Sequence, residues 1–167
     1  MTKIWERLYL GSLKDAEQLA HSNAQRITTV VSLCRERVVH RAPKVTYIHI
    51  PISDTRPISA QKFEDIMFAV AIGVRRGNLL VHCQAGKSRS PILIAAWLHR
   101  CGYAGIDKAL SQIAELRDLA PSDTLLVACR SEFVSTQPAA GVRVFPLDRV
   151  SVGGVGVDVT TEFASQV

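Results

Sequence analysis

Apolar positions along this chain follow two alternating rhythms. Short, dense, β-branched runs are separated by longer stretches in which apolar side chains recur about every 3.6 residues. The first run, Leu8-Tyr9-Leu10, predicts a strand ending at Gly11. Ser12 then offers a helix N-cap, with Asp15 placed to complete it, and residues 13–22 are predicted helical. Ile27 to Cys34 and Val45 to Ile50 are further strand-length runs, the second closed by Pro51. Ser59 caps a predicted helix whose apolar face is Phe63, Ile66, Met67, Val70, Ala71 and Val74, and Gly77-Asn78 stops it. Leu79 to Cys83 is wholly apolar except for His82, as expected of a strand buried on both faces. Helices are predicted over 91–101 and 106–118, separated by Gly102 and Gly105, and again from Asp123 to Phe133 after Pro121.

Strands alternating with helices predict an α/β fold with a mostly parallel central sheet flanked by helices. Ligands of such sheets bind beyond the carboxyl ends of the strands. Cys34 and Cys83 each close a predicted strand and so fall at that edge. The residues from 135 to 167 are different in kind, rich in Val and Gly with alternation such as Val155-Gly156-Val157-Asp158-Val159. They read as either added edge strands or a tail, leaving residues 1–134 as the main domain. Gly153-Gly154-Val155-Gly156 lacks the spacing of a dinucleotide loop.

Composition narrows the field. The 167 residues are 47% hydrophobic and 21% charged, which excludes a disordered chain, a coiled coil and a collagen-like fibre. Charged residues interrupt every apolar run, so no membrane span is expected, and with no signal-like apolar stretch at the N-terminus a cytoplasmic protein is expected. The net charge is +5, but the basic residues are dispersed, and no nucleic-acid partner is expected. An affinity for small anions such as phosphate accounts for the same charge. The four cysteines form no CxxC pair, which removes the usual zinc and redox signatures.

The chemistry concentrates in Val81-His82-Cys83-Gln84-Ala85-Gly86-Lys87-Ser88-Arg89-Ser90-Pro91. An apolar strand ends in a cysteine, a short loop follows, and Pro91 stands in a helix's first turn. This is the pattern of an anion cradle, in which the N–H groups of Gln84, Ala85, Gly86, Lys87, Ser88 and Arg89 converge on a phosphate. Arg89 supplies a two-pronged grip, and the same field favours a thiolate at Cys83. Gly86-Lys87-Ser88 looks like the end of a nucleotide-binding GxxxxGK[ST] loop, but that loop requires glycine where Val81 stands. His82 is excluded as the base for Cys83, because adjacent strand residues point to opposite faces; a loop-supporting role is expected instead.

The segment His82-Cys83-x-x-Gly86-x-x-Arg89-Ser90 resembles the signature of cysteine-dependent protein phosphatases, and HCQAGKSRSP is most similar to the dual-specificity branch. Leu8 to Ser12, Ile50-Pro51-Ile52-Ser53-Asp54 and Ala96-Trp97-Leu98 extend the resemblance, which runs from about Leu8 to Phe133. It implies a phosphatase without metal or cofactor that acts on phosphotyrosine and phosphoserine or phosphothreonine in proteins. Cys83 would form a phosphocysteine, Arg89 and the loop would hold the phosphate, Ser90 would stabilise the departing thiolate, and Asp54 would be the general acid. Phosphoinositides are the alternative substrate, because lipid-directed relatives often carry two basic loop residues and Lys87 supplies one. A phosphate-binding adaptor without turnover is the second alternative, although Cys83, Arg89 and Asp54 are all retained. The branch commonly has Asn after the proline at position 121; here Ser122-Asp123-Thr124 follow, with Ser122 or Asp123 expected as a helix cap.

Leu33-Cys34-Arg35-Glu36-Arg37 resembles a segment of the 3-phosphoinositide phosphatases, whose equivalent cysteine bonds to the nucleophile. If the strands ending in Cys34 and Cys83 are neighbours about 4.8 Å apart, Cys34 becomes a redox partner of Cys83.

Overall fold

The computed structural model of the protein describes residues 1–135. The chain runs β1 (Thr2–Lys3), β2 (Leu8–Ser12), α1 (Leu13–Gln18), β3 (Ile27–Ser32), β4 (Thr46–His49), α2 (Ala60–Arg76), β5 (Asn78–Cys83), α3 (Arg89–Arg100), α4 (Ile106–Leu116) and α5 (Asp123–Ser135). The strands form a five-stranded sheet in the order β1-β2-β5-β3-β4. All pairings are parallel except β1 with β2, so the expected architecture is the observed one.

β5 lies at the centre and explains its own sequence. Leu79, Val81 and Cys83 face the larger core under α2 to α5, while Leu80 faces a smaller one under α1. A strand covered on both faces has no position where a solvated polar residue fits, hence the apolar run from Leu79, in which the one polar residue, His82, is itself fully buried. α2 buries Phe63, Ile66, Met67, Val70 and Val74 on that larger core as the periodicity requires, but Ala71 is only half-buried and Ala69 and Gly73 are buried beside them; Ser59 caps the helix by accepting the Lys62 N–H.

Several boundaries differ from the sequence reading. α1 ends at Gln18 rather than residue 22; beyond it, Asn23 bonds both the N–H and the carbonyl of Ile27 and turns the chain into β3. β3 stops at Ser32, so Cys34 lies beyond the strand instead of closing it. The apolar run continues past Ser32 because Leu33 and Cys34 are packed in the interior, not because they stay in the sheet. Leu33 still donates to the His82 carbonyl and accepts from the Ile52 N–H, which pins the following loops to the sheet's carboxyl edge. The two-residue β1 has no sequence signal. α3 begins at Arg89, inside the signature, earlier than residue 91. The division at residue 134 and the Val/Gly-rich stretch to residue 167 concern residues that lie outside those described.

Candidate active site

β5 delivers Cys83 to the sheet's carboxyl edge, and α3 starts at Arg89, so the intervening residues must reverse direction within one tight loop. Gly86 makes the turn possible. Its φ is +69°, and a Cβ there would lie 2.5 Å from the Gly11 carbonyl oxygen and 2.8 Å from Arg117 Nη2. Both the backbone conformation and the contact with the β2–α1 junction require glycine. That junction supports the loop directly, since the Leu13 N–H donates to the Gln84 carbonyl at 3.1 Å.

Ser88 occupies the N-cap position of α3 but makes no cap bond. Its hydroxyl is turned to Asp54, donating to Oδ1 at 2.5 Å. Without a side chain across it, the first turn of α3 presents its N–H groups and its dipole to whatever sits over the loop. The cysteine registers this field. Burial alone would push the Cys83 thiol up. The Ser90 hydroxyl, donating to Sγ at 3.2 Å, and the N–H groups of Ser90, Ser88 and Gly86 outweigh burial and hold it below its ordinary value. At 2% exposure Cys83 lies at the floor of the cradle, beneath exposed Gln84, Ala85 and Lys87.

Arg89 stands beside it. One guanidinium nitrogen reaches the Ile52 carbonyl at 3.4 Å, and Nε approaches Asp54 Oδ2 at 3.9 Å. Arg89 Nε is buried with no hydrogen-bond partner among the described residues. A buried cation with a free donor costs stability unless an anion completes it, which suits a phosphate subsite.

His82 points to the opposite face, as expected, and its ring is fully buried. Nδ1 lies 3.2 Å from the Cys83 carbonyl and Nε2 lies 2.6 Å from Ser32 Oγ. The carbonyl can only accept, so Nδ1 carries the proton, and the bare Nε2 accepts from the Ser32 hydroxyl. Burial holds the imidazole neutral and pushes its pKa below the ordinary value. His82 thus pins the Cys83 backbone to β3. Ser32 was missed in the sequence; its signal is a polar residue directly after the buried pair Val30-Val31 at the end of the strand.

The loop after β4 brings Asp54 to the site, and the turn after α4 brings Ser122. The Ser122 hydroxyl donates to the Asp54 carbonyl at 2.5 Å, and its oxygen receives the Leu125 N–H at 3.4 Å. Ser122, not Asp123, is therefore the cap of α5. Lys87 turns outward to Asp118, at 2.5 Å. Cys34 is buried and unbridged; its Sγ donates to the Glu36 carbonyl at 3.5 Å. Burial, reinforced by Glu36, pushes its thiol up, and it is close enough to feel the charges of Arg89 and Cys83. Among the described residues, no cluster of His, Cys, Asp and Glu is arranged to hold a metal, and no helix is long and apolar enough to cross a membrane.

Known proteins resemble this chain in sequence and in fold. The family profile "Dual specificity phosphatase, catalytic domain" matches residues 8–127. Dual specificity protein phosphatase 15 of mouse is 32% identical over 127 residues, covering 72% of this chain and 52% of its own length. The chain thus spans about half the length of that curated relative. Human DUSP28 superposes with a TM-score of 0.70 at 25% identity, over 82% of this chain and 98% of its own. The DUSP15 crystal structure gives 0.68 at 28% identity, over 86% and 91%. The profile takes in both the loop that holds the thiol and the loop that carries Asp54, and the chain belongs to the dual specificity phosphatase catalytic-domain family.

Proposed function

We propose that this protein hydrolyses phosphotyrosine and phosphoserine or phosphothreonine esters in proteins through a phosphocysteine intermediate. The observation that carries the reading is the Cys83 thiol, held below its ordinary value by Ser90 and the loop N–H groups, beside a buried Arg89 nitrogen without a hydrogen-bond partner. Cys83 attacks phosphorus as the thiolate while Arg89 and the loop N–H groups hold the equatorial oxygens. As the ester P–O bond breaks, Asp54 gives its proton to the leaving oxygen. Water then attacks the phosphocysteine and loses a proton to Asp54. The S–P bond breaks, and the Ser90 hydroxyl stabilises the thiolate that departs. That hydrogen bond serves both steps, because it favours the thiolate first as nucleophile and then as leaving group.

Protein substrates are favoured over phosphoinositides because Lys87, the one basic residue between Cys83 and Arg89, is engaged by Asp118. An adaptor role is disfavoured by the retention of Cys83, Arg89 and Asp54 together. A reducing compartment such as the cytoplasm suits a catalytic thiol. Cys34 is a proposed partner for Cys83 under oxidation, and residues 1–134 are the proposed catalytic unit. The test is turnover of p-nitrophenyl phosphate, then of phosphopeptides against phosphoinositides. Turnover lost in Cys83→Ser and faster on phosphopeptides is expected. Turnover retained in that variant overturns the covalent route, and preference for the lipid overturns the substrate class.

A further inference from the structure

The turn between α4 and α5, residues 117–122, lies along the phosphate loop and is fastened to it at successive points. Arg117 Nη2 donates to the Ala85 carbonyl at 3.1 Å, and the Lys87 ammonium meets Asp118 at 2.5 Å. The Ala120 N–H donates to the Lys87 carbonyl at 2.9 Å, and the Ser122 N–H to Ser88 Oγ at 3.1 Å. Ser122 goes further than the others, since its hydroxyl also reaches the Asp54 carbonyl. Its backbone therefore holds the phosphate loop, its hydrogen holds the Asp54 backbone, and its oxygen caps α5.

Asp54 needs such a restraint. It sits in a stretch, residues 51–59, without regular secondary structure, and its side chain is 40% exposed. The neighbouring Ser53 and Thr55 hydroxyls bond within that stretch, not to the sheet. The carboxylate is held at one oxygen by Ser88, which is itself held by Ser122. Two consecutive hydroxyl bonds thus fix the backbone and the side chain of Asp54 relative to Cys83.

We propose that Ser122 is a positioning residue for general-acid catalysis, clamping the Asp54 loop to the phosphate loop so that the carboxyl stands on the leaving-group side of the thiol. This rests on the reading of Asp54 as the acid. A cap alone would stabilise α5 and leave the chemistry untouched; a clamp changes the step in which the proton is transferred.

The test uses the full chain and compares phenyl phosphate, a poor leaving group, with p-nitrophenyl phosphate, which needs little protonation. Rates are taken at a temperature where circular dichroism shows each variant folded. Displacing a catalytic group by about 1 Å costs on the order of 10²-fold. Ser122→Ala is therefore expected to lower kcat on phenyl phosphate about 10- to 100-fold with KM nearly unchanged, and to affect p-nitrophenyl phosphate little. Ser122→Thr, which keeps the hydroxyl, restores the rate. In an Asp54→Ala background Ser122→Ala has no further effect, because a residue that acts through another is silent once that other is gone. Equal loss on both substrates, the same loss without Asp54, or no loss at all overturns the proposal and leaves Ser122 a helix cap. If Asp54→Ala alone leaves the leaving-group dependence unchanged, the acid assignment itself fails and the proposal falls with it.

Discussion

The proposed nucleophile and the proposed acid are held by different kinds of structure. Cys83 ends the central strand, paired on both sides, with its carbonyl bonded by a buried histidine and its sulfur by a serine and by backbone N–H groups. Asp54 hangs on an irregular loop and is fixed by the hydroxyls of Ser88 and Ser122. The first position is set mainly by the sheet and by main chain. The second depends on a few side-chain oxygens. One half of the site is therefore robust and the other adjustable, which is the division expected where a fixed chemistry must meet varied leaving groups.

The largest effects should fall on the robust half. Cys83→Ser should abolish turnover while phosphate still binds, since Arg89 and the loop remain; isothermal titration with phosphate and a p-nitrophenyl phosphate assay check the two parts. Arg89→Lys should be nearly as damaging, because a point charge cannot replace a planar fork. On the adjustable half, Asp54→Ala should cost about 10²–10⁴-fold on poor leaving groups and far less on activated ones. A variant that loses both substrates equally would erase the contrast between the halves.

A smaller effect concerns His82 and shows in stability. Its folded pKa lies below the ordinary value, so the unfolded chain takes up a proton that the folded one refuses. This contribution is full above about pH 6.5 and is lost as pH falls toward the folded pKa. Each unit of that fall costs up to about 1.4 kcal/mol. Tm should therefore drop between pH 7 and 5.5. His82→Gln should lower Tm at pH 8, by about 1–3 kcal/mol of lost bonding, and flatten the acid slope. The least expected effect is on recovery from oxidation. Peroxide converts the Cys83 thiolate to sulfenic acid, and attack by the Cys34 thiol would release water and form a disulfide. Because the Cys34 thiol is pushed up, its attack is slow and protection only partial. Dithiothreitol should rescue the wild type somewhat better than Cys34→Ser; equal recovery would remove Cys34 from the site.

The same division governs what could be read from the sequence. Cys83, Gly86 and Arg89 announce themselves because strand, turn and helix start must follow in one short segment, and each residue type is fixed by a local requirement. β5 is legible because burial on both faces makes its run nearly all apolar, and α2 because its apolar face recurs at helical spacing. Gly86 is legible as a turn residue, but its dependence on the Gly11 carbonyl is not, because that contact joins a loop to a strand far away in sequence. The Ser32–His82 bond and the clamp at Ser122 were invisible for the same reason. Ser122 could be seen only as a cap, the one of its roles played within its own helix. The apolar run predicts a β3 that reaches Cys34, although the strand ends at Ser32, because packing and sheet pairing leave the same apolar signature.

The central place of β5 also fixes how the site is lost. Amides between two partner strands exchange with solvent only when the sheet itself opens, whereas those of the irregular 51–59 stretch open locally. Leu80 to His82 should carry protection near the global limit, and Ser53 to Thr55 almost none. Heating or denaturant should then strip proton donation to the leaving group well before it strips phosphate binding. The partly loosened protein would still grip its ligand and would turn over only the esters that leave unaided.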